Sequence, residues 1–273
     1  MPEGPEIRRA ADKIAKVLEG RRIEDIHFGL DRLKGRERDF QNAKVCKIET
    51  RGKALLTHFD NELTIYSHNQ LYGRWYIVKR GAFPETNRSL RFALHTSTHS
   101  ALLYSASDIS IWDRFELELH PFLAKIGPDI LNPNLDWKEI SQRLRSERFQ
   151  RRALASLYLA QDFLAGIGNY LRSEILFDAK VLPDTRPRDL SLKQLNDLGR
   201  STLKISQRAY ETAGITNPPR LVARLKKQGL KRRDFRHAVF GRQGQSCYKC
   251  GESIRKVLLS GRRLYWCPSC QGH

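Results

Sequence analysis

The sequence predicts an α+β multidomain protein: an N-terminal helix with an antiparallel β-sandwich, then a helical block, then a small cysteine-bearing β-hairpin. Three observations carry this. Short runs rich in β-branched and aromatic residues crowd the first third of the chain. Apolar residues at helical spacing occupy the middle. Four cysteines in two close pairs lie near the end. The chain divides accordingly into residues 1–130, 131–236 and 237–273.

The first element is a helix. After Gly4-Pro5, the residues Ile7, Ala10, Ala11, Ile14, Val17 and Leu18 recur at helical spacing, with Pro5 suited to a first turn and Gly20 to an end. Strands follow in VCKIETR, ALLTHF, LTIYSH, RWYIV, LRFALH and ALLYSAS, separated by polar or glycine-containing breaks. So many short strands in so little chain imply a sandwich or barrel. Cys46 falls in the first of them and is expected to be a small buried apolar residue.

The pattern changes at Gly127-Pro128 and Asn132-Pro133. Helical periodicity then runs from Trp137 to Leu144, Arg152 to Leu159, Asn169 to Phe177 and Leu192 to Tyr210, and Asn217-Pro218-Pro219 ends the block.

Charge points to the partner. The 273 residues hold 49 Lys and Arg against 30 Asp and Glu, a formal charge of +19 with a pI near 10.0. Such a chain favours polyanions, of which nucleic acid is the commonest. From Asn217 to His273 there are 14 basic residues and two acidic ones, so the last fifth of the chain carries most of the excess. Within it, RLVARLKKQGLKRRDFR places eight basic residues between Arg220 and Arg236. A linker, a solvated helix and an ordered DNA-facing loop all fit that stretch. With 40% hydrophobic and 29% charged residues the composition excludes wholesale disorder. No apolar run approaches the roughly 18–20 residues of a membrane span. The start, MPEGPEIRRAADKI, lacks the apolar segment of a secretory signal, so a cytoplasmic location is expected.

The cysteines read as a metal site. Cys247-x2-Cys250 and Cys267-x2-Cys270 are separated by sixteen residues, the spacing of a zinc ribbon or finger. Between them IRKVLL and RRLYW form a hairpin with Ser260-Gly261 at its turn. One structural zinc is expected. Four thiolates close its coordination, so the ion is not catalytic. Two disulfides would require an oxidising compartment. The turn carries Arg262 and Arg263, which suit phosphates and equally suit solvent.

Met1 precedes a small residue, so processing is expected to expose Pro2 as a free secondary amine. Such an amine attacks a sugar C1′ and gives an iminium, which acidifies the C2′ hydrogens. Glu3 beside it is placed to move protons, although a helix start favours its ionised form. Taken alone, this fragment reads first as an ordinary helix start.

The segments MPEGPEIRRAAD, ETRGKALL, YSHNQLYGRW, HPFLAKIGPD, FLAGIGNYLRSEIL and the four-cysteine module occur in that order. Together they resemble the bacterial formamidopyrimidine-DNA glycosylase and endonuclease VIII family of base-excision repair enzymes over nearly the whole chain. SHNQLYG is similar to the endonuclease VIII branch. The resemblance implies a helix–two-turn–helix in the helical block and a zinc β-hairpin after it. It implies Pro2 as nucleophile, Glu3 as proton donor for base release, Lys53 as a phosphate contact assisting elimination and Arg262 as the hairpin's catalytic arginine. It implies DNA binding by Asn169 and Lys125, and a void-filling loop at Gln70, Leu71 and Tyr72. Lys125 stands where some relatives have arginine, which loses the fork geometry. Gly166 and Gly168 would let a DNA backbone approach the helix that starts at Asn169. The zinc ligands are Cys247, Cys250, Cys267 and Cys270. The implied partner is double-stranded DNA containing oxidised bases or abasic sites, engaged by a monomer on the bacterial nucleoid. The implied activity is that of a glycosylase and AP lyase acting on oxidised pyrimidines through a Schiff base on Pro2, with β,δ-elimination. The alternatives are an enzyme preferring formamidopyrimidine or 8-oxoguanine, and a non-enzymatic zinc-containing protein that binds damaged DNA.

Overall fold

The computed structural model describes residues 2–272; Met1, and with it the expected processing step, lies outside the described residues. The chain forms two compact units, Met1–Pro2 with Glu6–Lys125 and Glu3–Pro5 with Ile126–His273.

The first unit is a β-sandwich. Helix α1 (Gly4–Leu18) buries Ile7, Ala11, Ile14 and Leu18, the stripe its spacing requires. Eight antiparallel strands follow: β1 (Asp25–Phe28), β2 (Val45–Arg51), β3 (Ala54–Phe59), β4 (Leu63–His68), β5 (Arg74–Lys79), β6 (Leu90–His95), β7 (His99–Tyr104) and β8 (Asp108–Asp113). They form two four-stranded sheets, in the orders β1-β6-β7-β5 and β2-β3-β4-β8. Phe28, Phe92 and Leu103 of one sheet share a single core with Val45, Leu55, Ile65 and Ile109 of the other and with α1. Phe28 stacks on Phe92 with ring centroids 5.4 Å apart. Each large side chain buried this way contributes about 1.5–3 kcal/mol.

Strands β1 and β8 were not expected. DIHF is only four residues long, and DISIWD begins and ends on aspartate, a residue depleted in strands. Cys46 corrects the sequence reading: it is exposed. Val45 takes the inward position, and a bulge between Val45 and Lys47 turns both following residues outward before Ile48 returns to the core.

The second unit is helical: α2 (Trp137–Arg145), α3 (Leu154–Leu157), α4 (Asn169–Asp178), α5 (Leu192–Glu211), α6 (Pro219–Lys227), α7 (Arg232–Phe235) and, beyond the hairpin β9 (Arg255–Leu259) and β10 (Arg262–Trp266), α8 (Pro268–Gln271). Asp136 caps α2, and Ser191 with Gln194 forms a capping box on α5. Helix α3 is shorter than its periodicity suggests. Leu154 and Ala155 donate their N–H groups to Thr185 and Pro183, and Arg152 belongs to the preceding turn. The stretch Arg220–Arg236 resolves into α6 and α7, anchored by buried Leu225 and Phe235, so it is not a linker. In the hairpin, Ser260 and Gly261 both have positive φ, 49° and 72°, which sets the two-residue turn whose twist matches its strands.

Candidate active site and metal centre

Helix α4 is buried on all sides from Tyr170 to Phe177, including Arg172, Ser173 and Glu174. Its N-terminus is occupied. The Glu3 carboxylate, itself buried, accepts hydrogen bonds from the backbone N–H groups of Gly168 (2.8 Å), Tyr170 (2.9 Å) and Leu171 (3.2 Å). Three N–H donors at the positive end of a helix all favour an ionised carboxylate. One residue further, Gly4 donates its N–H to the Gly166 carbonyl at 2.8 Å.

The glycines are explained by this seat. A Cβ on Gly168 would fall 2.4 Å from Glu3 Cδ, and Gly166 adopts φ +103° with Gly4 packed against it. The close approach they permit is to Glu3 and Gly4, and three N–H groups at this terminus are already taken.

Arg172 lies directly behind. It is fully buried and donates to the carbonyls of Ala155 (2.6 Å) and Arg263 (3.0 Å). It thus ties α3 and strand β10 to α4. Burial lowers its pKa to about 10, the Glu3 carboxylate opposes that shift, and the Arg262 guanidinium adds to it. Glu3, Arg172 and Arg262 therefore form one electrostatic neighbourhood. Arg262 and Arg263 are both exposed at the tip-proximal end of β10. Asn169 is the first residue of α4, half-exposed, with its Oδ1 buried and lacking a hydrogen-bond partner.

The metal centre fits zinc in size. The ligand atoms of Cys247, Cys250, Cys267 and Cys270 all lie within 4.8 Å of one another, with Cys247 and Cys270 sulfurs 3.9 Å apart and Cys250 and Cys267 sulfurs 3.4 Å apart. Four sulfurs about 2.3 Å from a tetrahedral zinc would stand about 3.8 Å apart. Backbone N–H groups of Lys249 and Cys270 point at the Cys247 and Cys267 sulfurs, as thiolate ligands require.

The remaining candidates belong to the sandwich unit. Pro2 is half-buried. The β3–β4 register pairs Ala54 with His68, which sets the Gly52-Lys53 turn beside the loop Asn69–Gly73. Lys53, half-buried, lies close enough to help depress the pKa of His68, whose main cause is burial. His68 Nδ1 accepts the Gln70 N–H at 3.1 Å, and Gln70 Oε1 accepts the Ser107 hydroxyl at 2.8 Å. Arg88 donates to the Tyr72 carbonyl. Gly73 closes the loop by donating to Asn69 at 2.7 Å, and Gln70 is held at φ +50°. Strain of this kind persists only where neighbours over-determine it. The result is a braced loop that exposes Leu71 by 51% and Tyr72 by 66%, large apolar groups presented to solvent. Lys125 is exposed at the end of a short turn, Leu123–Lys125.

Arg172, Glu174, His68 and Arg88 were missed in the sequence. A signal existed for the first two: YLRSEILF sets an arginine and a glutamate inside an otherwise apolar helical run. A buried charge needs a fixed partner, so such a residue marks an organised site.

A helix-led sandwich, a helical block with an internal carboxylate seat and a four-cysteine hairpin define the architecture of a DNA glycosylase of the formamidopyrimidine type. The profile of the formamidopyrimidine-DNA glycosylase N-terminal domain matches residues 1–107, and that of the H2TH domain of the same enzymes matches residues 126–218. The chain belongs to the formamidopyrimidine-DNA glycosylase and endonuclease VIII family. It is 46% identical to Endonuclease 8 of Salmonella arizonae over 271 residues, covering 99% of this chain and 100% of that protein. It is 45% identical to Endonuclease 8 of Escherichia coli K12 over the same coverage. Among solved structures, wild-type Lactococcus lactis Fpg bound to DNA containing an oxidised pyrimidine superposes with a TM-score of 0.82 at 21% identity, with each chain fully covered. The same enzyme on DNA containing N7-benzyl-Fapy-dG gives 0.81 at 22%, again over the whole of both chains.

Proposed function

We propose that this chain, a DNA glycosylase of base excision repair, removes oxidised pyrimidines from duplex DNA with Pro2 as its nucleophile, and then cleaves the strand as an AP lyase. The observation that carries the reading is the seat of Glu3. The residue next to the Pro2 amine is a buried carboxylate fixed by Gly168, Tyr170 and Leu171. A carboxylate held by N–H donors is a proton acceptor first. With Met1 removed, the Pro2 nitrogen attacks C1′ of the damaged nucleoside. Glu3 takes the proton that the nitrogen sheds and returns it to the departing base as the C1′–N bond breaks. The nitrogen lone pair then forms the iminium to C1′ as the C1′–O4′ bond breaks and the released ring oxygen takes up a proton. Loss of a C2′ proton expels the 3′ phosphate, and a second elimination expels the 5′ phosphate. Lys53 and Asn169 hold phosphates, Lys125 adds a backbone contact, and Arg262 engages the phosphates of the damaged nucleotide. Leu71, Tyr72 and Gln70 fill the gap that an extruded base leaves.

The ion we assign to the four cysteines is one structural zinc, held by Cys247, Cys250, Cys267 and Cys270. It fixes the hairpin that carries Arg262, and no proton or electron passes through it. The enzyme works as a monomer, in the cytoplasm, on nucleoid DNA.

Single-turnover excision from paired thymine glycol and 8-oxoguanine:cytosine duplexes tests the reading. Thymine glycol should be released at least about tenfold faster, a pocket discrimination of ordinary size. Faster release of 8-oxoguanine would assign the purine-preferring activity instead. Tight binding with no release of either would identify a damage-binding protein.

A further inference from the structure

The segment between Thr216 and Ala238 is an excursion tied shut at its base. The Thr216 hydroxyl donates to Glu174 Oε2, and Ala238 donates its N–H to the same oxygen at 2.8 Å. Thr216 donates its N–H to the Arg236 carbonyl at 2.9 Å, and Asn217 Nδ2 donates to the Phe235 carbonyl at 2.9 Å. Glu174 also accepts from Val239 and Phe240, each at 2.8 Å. So a single buried carboxylate on α4 pins both ends of the excursion. Inside it, Leu225 and Phe235 are buried, and Lys226 sits over the Phe235 ring at 5.4 Å, which holds α6 against α7.

What this rigid piece presents is charge. Arg220, Arg224 and Lys227 recur along one face of α6, and all three are exposed, as are Lys226, Lys231 and Arg233. The excursion has one acidic residue, Asp234, and Arg233 already pairs with it at 3.3 Å. Among the described residues, Arg220, Arg224, Lys227 and Lys231 form no ion pair. Arg220 and Arg224 also line a cavity of about 440 Å³ together with Arg208 of α5, Lys249 of the cysteine module and the carboxylates of Glu174 and Asp178. Concentrating like charges on a braced scaffold raises their mutual repulsion, and a bound polyanion relieves it while releasing its own counterions. A phosphate backbone, with a charge every few ångströms, is that polyanion.

We propose that α6 and α7 form an accessory phosphate-binding surface for duplex DNA, one that adds affinity and takes no part in base release. It rests on the glycosylase reading and extends it: capture of duplex and chemistry on the base are supplied by different residues. Its rigidity means that little conformational entropy is lost on contact.

The test uses the full-length metal-loaded protein carrying Arg220→Gln, Arg224→Gln and Lys227→Gln together, beside a charge-preserving triple, Arg220→Lys, Arg224→Lys and Lys227→Arg. Binding to an undamaged duplex is measured across a salt series, and single-turnover excision at saturating enzyme in the same preparations. In the Gln triple the log–log salt slope should flatten by about 2–3, with roughly tenfold weaker binding near 0.1 M salt. The charge-preserving triple should keep the wild-type slope. Excision at saturation should be unchanged in both, and its presence in the wild type reports separately on the glycosylase reading. An unchanged slope in the Gln triple overturns the proposal, as does a slower excision step at saturation. If the Gln triple loses affinity for an RNA duplex and keeps its affinity for DNA, the surface belongs to RNA and the proposal also fails.

Discussion

The sandwich unit is closed by hydrocarbon alone, whereas the helical unit adds buried charge to an apolar core of its own. Among the described residues, the buried arginines and glutamates are Glu3, Arg172, Glu174 and Arg242, and all four belong to the helical unit. Each spends its charge on backbone groups. Glu3 holds the Gly168 turn, Arg172 holds the hairpin through Arg263, Glu174 holds the base of the basic excursion, and Arg242 donates to Ala238 and Ser246. In the sandwich the buried polar groups are neutral hydroxyls, amides and imidazoles, and the sheets already satisfy the backbone. Apolar contact has no direction, so it closes a core without aiming anything. Charge-assisted hydrogen bonds have direction, and they appear where a turn or hairpin must be aimed.

The largest expected break comes from the metal. Chelation, or Cys250→Ser, removes a binding free energy on the order of 10 kcal/mol from a module with little core of its own. Hydrogen exchange should show β9 and β10 losing protection while β2 to β8 keep theirs, and DNA cleavage should cease. Loss of protection throughout the sandwich would dissolve the contrast between the units.

Next come two substitutions of similar thermodynamic size. Leu55→Ala in the sandwich and Arg172→Met in the helical unit should each cost about 2–4 kcal/mol, one through a cavity and the other through orphaned carbonyls. Assayed well below either melting temperature, Leu55→Ala should keep its excision rate and Arg172→Met should lose about tenfold or more. Equal rates would mean that buried charge positions nothing.

Gly168→Ala is more local. Its Cβ would displace the Glu3 carboxylate, which it approaches to 2.4 Å at Cδ. Excision of a damaged base should fall about 100-fold, the size of a lost acid–base contribution. Lyase action on a preformed abasic site, which needs no base release, should fall far less. A parallel fall in both would place the damage in the fold.

The smallest effect is on acid stability. His237 is buried among Thr216, Tyr170 and Phe240, and desolvation, with Arg236 and Arg232 adding to it, pushes its pKa from 6.5 down to about 3. The unfolded chain takes up that proton below about pH 6.5 and the folded one does not, so stability falls with pH between about 6.5 and 3. In the sandwich, Glu49 is lowered from 4.5 to about 2, chiefly by its hydrogen bond to His58, so its contribution is lost between those values, while His68, His95 and His120, all lowered by burial, lose stability below about pH 6.5 as His237 does. Acidification from pH 7 to 5 should therefore weaken both units through their buried histidines, and His237→Asn should flatten the slope of the helical unit while leaving that of the sandwich. Hydrogen exchange resolved by unit is the readout.

The same division explains what was legible in the sequence. Most strands, the long helices and the cysteine hairpin announce themselves through period and spacing, because apolar burial and metal ligation impose both. Strand β1 is too short to show a period, and Cys46 depended on a bulge that no alternation reveals. The candidate site was visible residue by residue through the motifs that carry Pro2, Glu3, Asn169 and Arg262. What connects them was not. That Gly168 serves Glu3, that Arg172 reaches the hairpin strand and that Glu174 pins the basic excursion all depend on pairs far apart in the chain, such as residues 3 and 168. Periodicity is local, and directional long-range bonds leave no period.

The most direct test of the central claim is borohydride trapping on a thymine glycol duplex, followed by peptide mass mapping of the adduct. The account predicts a covalent DNA adduct on a processed N-terminal peptide, at Pro2, that Pro2→Gly largely abolishes. An adduct at a lysine, or one undiminished by Pro2→Gly, would contradict it.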